Sequence, residues 1–500
     1  MTTLISKPES NALVTQETEV RAVKPAGYTI YRIRHTLASR FAFLIICVAI
    51  ILSALAYGTV HYWTQAIFFL GATTLVILWV VDSWSLGSLR INRNVLQLPL
   101  LGMLLLGLVQ LLPLRTPDTI ATVSDPFVKS LSLDPYATRL ILVQVVALFI
   151  YFAATLVFTD TPKRLRLLVR TITIFGFFLA IFGLTQSIAS PTRVYWIREL
   201  AQSTAFGPFI NRHHFAGYME LTLALPLGLL FSGAIEKEKR LIYLFVAGLM
   251  AVALIMTSSR GGIISLIAEI LFLVATMGFR RRRHHKKSEE KRPRIKSAAL
   301  KAGLGLALVV ALFGGVVLLG GEEALTRFVG SVNTDDPTTG RVHFWGVTVD
   351  IIKNHPWIGT GLGAFGVVYT GYDSHNGLYR LEQAHNDYLQ VLSDGGIVGA
   401  ALGLFFIVAL FRMGFARRES RDDFRRGVAT GALAGCFAVL VHSFFDFTLH
   451  TTSNALLFLV LAALATMNGR VEDVQTRQKK RQRKESQISP ETETITVQAN

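Results

Sequence analysis

Three side chains in this 500-residue sequence are of types that could act together: Arg260 in "TSSRGGIIS", Arg341 in "GRVHFW" and His385 in "AHNDYLQVL". A guanidinium offers paired donors to phosphate oxygens, so two of them suit a diphosphate leaving group. An imidazole exchanges a proton near neutral pH and suits a hydroxyl nucleophile. Together they fit group transfer away from a diphosphate. Gly261 and Gly262 permit close backbone approach to a ligand, and the amides that open the following apolar run would add a helix N-terminus to the charge of Arg260. Each residue also has a bland reading. Arg260 would be an interfacial anchor reaching headgroup phosphates, Arg341 a surface arginine stacked near Trp345, and His385 a structural hydrogen-bonding residue.

Whether the three can meet depends on the elements that carry them. The chain is 51% hydrophobic and only 17% charged, with a formal net charge of +17, which no single soluble core accommodates. Apolar runs of the length that crosses a bilayer, about 17 to 25 residues, fall near 41–58, 64–81, 95–113, 139–158, 167–189, 214–234, 241–257, 261–279, 298–320, 395–413, 427–449 and 453–467. The expectation is an all-α polytopic membrane protein of about twelve spans. The first run lacks a small-residue cleavage pattern and reads as a retained helix. Lys and Arg cluster in alternate loops: "TPKRLR" (161–166), "EKEKR" (236–240), "RRRRHHKKSEEKRPRIK" (280–296), "RMGFARRESRDDFRR" (412–426) and the tail "RQKKRQRK" (477–484). Basic loops stay cytoplasmic, so both termini are expected inside, and Arg260, Arg341 and His385 all fall outside. A cationic inner face over anionic lipid accounts for the charge without nucleic acid. Cys47 and Cys436 lie within spans and form neither a disulfide framework nor a metal motif.

The chain divides into a polar N-terminal tail (1–40), a membrane domain (41–467) and a basic tail (468–500), with one long outer loop at 321–394 between the ninth and tenth spans. Within that loop "TTGRVHFWGVTVDIIKNHP" reads as a helix capped by Thr339 and stopped at Pro356. After the glycine-rich "WIGTGLGAF", "LEQAHNDYLQVLSDGGIVG" restarts a helix with His385, Leu389 and Leu392 along one side. The "GTGLG" run follows no strand and is not a nucleotide loop. In "NRHHFAGYMEL" (211–221), His213 and His214 point apart on a helix and do not share an ion; Asn211, Arg212 and His214 are better placed to bind a glycan or headgroup. Glu220, His442 and Asp446 lie in or near spans, where ionisable groups are costly. His442 and Asp446 are four apart and are expected to pair. With no compact ligand motif, neither metal nor cofactor is expected.

The order of an outer "SRGG", "GRVHFW", "HPWIGTGLGAF" and "AHNDYLQVLSDGGIVGA", with "GPFINRHHFAGYMEL" earlier, resembles the O-antigen ligase and polymerase superfamily of bacterial envelope polysaccharide assembly. The resemblance runs from about residue 40 to 467 and is most specific over 257–400. It implies a roughly twelve-span helical bundle in the bacterial inner membrane, related to the C-type glycosyltransferases. It implies transfer of a glycan from an undecaprenyl diphosphate donor at the periplasmic face, without metal or nucleotide sugar. The family's essential arginine before a span matches Arg260, its loop arginine Arg341 and its loop histidine His385; Trp345, Asn386 and Asp387 lie beside them as substrate-binding candidates. One departure is His214, where many members have asparagine. The acceptor is lipid A-core for a ligase, a growing glycan for a polymerase and a protein hydroxyl for an oligosaccharyltransferase. A secondary transporter, the alternative from another class, would place its polar groups at the midplane, and a structural envelope scaffold would leave glycan unaffected by changing Arg260.

Overall fold

The computed structural model describes residues 35–114, 129–190, 192–200, 205–278, 341–373, 381–420 and 422–467. Its helices are α1 (Leu37–Leu55), α2 (Tyr62–Leu86), α3 (Gln97–Gln110), α4 (Pro135–Phe158), α5 (Pro162–Ala189), α6 (Arg212–Ser232), α7 (Arg240–Met256), α8 (Arg260–Gly278), α9 (Arg341–Asn354), α10 (Phe365–Tyr372), α11 (Asp387–Arg417), α12 (Asp423–His442) and α13 (Thr452–Thr466). A two-residue antiparallel hairpin pairs Arg193 with Glu199 and Val194 with Arg198.

Among the described residues eight helices are long and apolar enough to cross a membrane, and α3 and α13 are shorter apolar helices. The expected count of about twelve is therefore not met directly. The runs at 95–113 and 453–467 form helices of 14 and 15 residues, short of the roughly 20 that a hydrocarbon core requires. The run at 298–320, and the basic loop 280–296, lie outside the described residues, as do residues 1–34 of the N-terminal tail, the C-terminal tail and residues 321–340, with Thr339 among them.

The centre of the bundle is α6 against α12. Both are almost wholly buried, whereas α2 presents most of its apolar side chains outward. Burial on most sides suits a helix surrounded by other helices, and outward apolar side chains suit lipid. The two central helices cross at glycines: a Cβ on Gly228 would strike the backbone of Gly431, and one on Gly431 would strike the carbonyl of Ala224. Small residues at such crossings let backbones approach where lipid supplies no hydrophobic drive. We expect Gly431→Val to destabilise the bundle by at least the roughly 1–3 kcal/mol of an overpacked core. Thermal unfolding of the detergent-purified protein measures this, and an unchanged midpoint would refute the close crossing.

The two ends of the bundle differ in chemistry. At one end, arginines close the carbonyl ends of helices. Arg164 donates to Phe158 O of α4 at 2.9 Å, Arg426 to Ser232 O of α6 at 3.3 Å and Arg418 to Thr276 O of α8 at 2.7 Å. Arg425, almost fully buried, donates to Leu464 O and Met467 O of α13 at 2.9 and 3.0 Å. Cations at helix C-termini satisfy orphan carbonyls and the dipole together. At the same end Arg90 bridges Asp82 and Asp160, tying α2 to the α4–α5 turn.

The opposite end gathers the segments before α6, α8 and α11 and the turn after α12. α9 spans the helix expected before Pro356. α11 leads from the loop into the tenth expected span as two helical segments joined across a kink at Gly396, whose backbone is non-helical with a φ of +61°. There the glycine-rich link locks on: a Cβ on Gly396 would strike the backbone of Trp357, and one on Gly359, also at positive φ, would strike that of Asp394. Gln110 at the end of α3 completes the joint, donating to the carbonyls of Ile358 and Asp394 and accepting from Leu362 N. "GTGLG" thus serves as a backbone-to-backbone fastening.

Candidate active site

The side chains at this end converge on Asp446, in the turn after α12 and 1% exposed. Its Oδ1 lies 3.2 Å from His385 Nδ1 and accepts the Phe447 amide at 2.9 Å. Its Oδ2 is 3.7 Å from His213 Nδ1 and 3.8 Å from an Arg341 Nη2, and has no hydrogen-bond partner. Burial opposes ionisation of this carboxyl, but the His385 hydrogen bond and the surrounding imidazoles hold it well below the usual carboxylate range. Asp446 is thus a fixed negative charge that orients two histidines and one arginine.

His385 is placed by its neighbours. It lies just before α11, with a φ of +51°, and not on the helix face expected from its spacing to Leu389. The Ala384 amide donates to Gln390 Oε1 at 2.7 Å, and Trp345 Nε1 donates to the Ala384 carbonyl at 3.1 Å, so α9 and α11 together hold the left-handed turn. The ring meets Phe447 edge-on at 4.8 Å between centroids. With Nδ1 committed to Asp446, Nε2 is the ring nitrogen turned from that contact.

Arg341 opens α9 and carries a buried Nε without a hydrogen-bond partner. Arg260 opens α8. The segment before α8 is shaped by Thr257, whose Oγ1 accepts Ser259 N at 3.2 Å, and by Ser259, whose Oγ accepts Gly262 N at 3.2 Å. Ser259 thereby caps α8. Gly261 and Gly262 are required here: a Cβ on the first would strike the His442 ring, and one on the second would press on Ala216 and Ser259. This close approach sets Arg260 beside the start of α6 and the end of α12.

His442 and Asp446 do not pair as their spacing suggested. His442 Nδ1 is 2.8 Å from Glu220 Oε1 of α6, both side chains fully buried, while Asp446 turns to His385. The reason is that α12 ends at His442, so Asp446 lies beyond the helix face its number implies. Ser259 Oγ stands 3.5 Å from His442 Nε2 and 2.8 Å from His213 Nδ1. A continuous polar path therefore joins Glu220, His442, Ser259 and His213.

The remaining candidates acquire definite places. Asn211 caps α6, its side chain accepting His213 N at 2.8 Å, and Arg212 is the first, half-buried residue of that helix. His214 is buried, with its ring edge-on to Phe447 at 5.0 Å, and diverges from His213 as expected of adjacent helical residues. Asn386 caps α11 through the amides of Tyr388 and Leu389 and donates to Phe444 O at 3.2 Å. Asp387 accepts from Ser443 Oγ at 2.7 Å and lies 2.7 Å from His450 Nδ1. Burial works against charge on His450, but the Asp387 contact outweighs it and raises the histidine's pKa. Asp446 and His213 were not singled out for the site from the sequence, and their only cue was ionisable character near a span end.

The chain is thus an all-α polytopic membrane protein that gathers arginines, histidines and buried carboxylates at one end of its bundle. A family model described as O-antigen ligase matches residues 245–404. That match covers about a third of the chain and supports the resemblance read from the sequence motifs. The matched stretch includes Arg260, Arg341 and His385, whereas His213, His442 and Asp446 lie beyond its ends. A comparison with curated proteins finds no match to the chain.

Proposed function

We propose that this protein is a membrane glycosyltransferase that moves a glycan from undecaprenyl diphosphate to an acceptor hydroxyl at the periplasmic face of the bacterial inner membrane. The observation that carries the reading is Asp446 holding His385 and facing Arg341 at the end of the bundle where α8 begins with Arg260. The arginines bind the diphosphate and stabilise the charge that grows as the bond from sugar C1 to phosphate oxygen breaks. His385 takes the proton of the acceptor hydroxyl while its oxygen bonds C1. One direct displacement of this kind inverts the anomeric centre. The diphosphate leaves on its lipid, so the charge is supplied and absorbed by side chains and no metal is called upon. A bundle of about twelve spans with a periplasmic loop over 321–394 would hold the polyprenyl tail in the membrane and the sugar outside it. The ligase reading, with lipid A-core as acceptor, is preferred to transfer onto a growing glycan.

The test is deletion of the gene, followed by gel and mass analysis of the surface polysaccharide. Free lipid-linked polymer beside unmodified core is expected; accumulation of single repeats would assign a polymerase, and unchanged glycan would refute the reading.

Orientation follows from the basic end being cytoplasmic. Cys47 and Cys436 are buried, which leaves a low background for thiol labelling. In intact cells a membrane-impermeant maleimide should label Ile197→Cys in the hairpin loop and not Glu238→Cys at the basic end. The reverse pattern would invert the assignment.

A further inference from the structure

We propose that His213, His442 and Asp446 form a binding site for one zinc-class divalent ion, and that the ion inhibits the enzyme by taking Asp446 from its partners. The three residues come from the start of α6, the end of α12 and the turn beyond it, and one ligand atom from each lies within 4.8 Å of the others. Two imidazoles and a carboxylate are the donor set that zinc takes with one position left open.

Three observations point to an ion beyond the proximity of the groups. Asp446 Oδ2 is buried, lacks a hydrogen-bond partner and faces His213. His442 gives Nδ1 to the buried Glu220, the carboxylate–histidine arrangement that fixes a ligand tautomer and leaves Nε2 with its lone pair toward the metal. Ser259 Oγ stands near both imidazoles, 2.8 Å from one and 3.5 Å from the other, a fourth donor in reach. The His213 side chain is 23% exposed whereas His442 is fully buried, so an ion can enter past the first and settle on the second. Tetrahedral ligands about 2.1 Å from one centre stand about 3.4 Å apart, so ligand atoms separated by up to 4.8 Å must draw in by up to about 1.4 Å, through side-chain rotation. His214 is not part of the set, because its ring packs on Phe447.

The ion would draw on the carboxylate that otherwise orients His385 and faces Arg341. It is a competitor of the transfer machinery, not its cofactor. The inhibitory part of the proposal rests on the transferase reading; the binding part does not.

Cobalt(II) serves as the probe, titrated into the purified full-length protein in detergent and followed by its visible absorption. One equivalent is expected to give the spectrum of a low-coordinate nitrogen–oxygen site and to be displaced by zinc. Glu220→Gln should weaken binding by roughly 10- to 100-fold, and Asp446→Ala should remove it, with helix content and unfolding temperature checked in each variant. Absence of a cobalt spectrum, or a spectrum indifferent to both changes, would overturn the site. In the transfer assay zinc should lower the rate and a chelator restore it. Cobalt binding as described with transfer unaffected by zinc would overturn the inhibition, and cobalt binding in a protein with no transfer under any condition would refute the transferase reading while leaving the site standing.

Discussion

Arg260→Lys and Arg341→Lys are each expected to reduce glycan transfer by roughly 10²- to 10³-fold, the usual cost of removing one preorganised charge-stabilising donor. Lysine keeps the charge but loses the fork that meets two phosphate oxygens at once. Arg341 already has one Nη2 near Asp446, so the planar guanidinium serves two partners in a way that an ammonium on a flexible stem does not. Transfer would be measured in membranes carrying each variant, with protein level and insertion verified. Near-normal transfer by both lysine variants would eliminate the diphosphate clamp and return Arg260 to the role of an interfacial anchor, which lysine fills equally well.

His385→Ala should leave donor binding largely intact while slowing transfer by a factor on the order of 10² to 10⁴, the worth of a positioned acid or base. Asp446→Ala should reproduce much of that loss, because the imidazole then lacks the partner that commits its Nδ1. The carboxyl is held below its ordinary range, so its stabilising charge is present above that range and is lost only as pH falls through the lowered value. Between about pH 5 and 8 the rate profile therefore owes nothing to titration of Asp446. A His385→Ala rate equal to wild type, with the fold intact, would move the proton transfer elsewhere.

The common end of Arg260, Arg341 and His385 was legible because alternating basic loops set the sense of every span, and the order of spans then puts these three on one side. Their joint partner was not. Asp446 carries no local signature, and its neighbour at a spacing of four, His442, suggested a pair that the end of α12 prevents. Glu220 was recognisable as a costly charge inside a span, but its partner sits on another helix, and pairing between helices leaves no trace in local spacing. The count of about twelve spans is not met directly at α3 and α13, whose 14 and 15 helical residues fall short of a full crossing. The crossing of Gly228 with Gly431 escaped notice for a similar reason: two isolated glycines become a contact only once α6 and α12 are known to touch.

The arginines that close the carbonyl ends of α4, α6, α8 and α13 also belong to the loops whose charge directs insertion. The same side chains thus first choose the orientation of the chain and then reward it. A span inserted against the sense of its neighbours would leave these helix ends without cations, so mistaken orientation of one span would also be mistaken folding, open to recognition by a quality-control protease that reads no topology at all. Charge-neutral swaps in these loops are then expected to act on turnover before they act on direction of insertion.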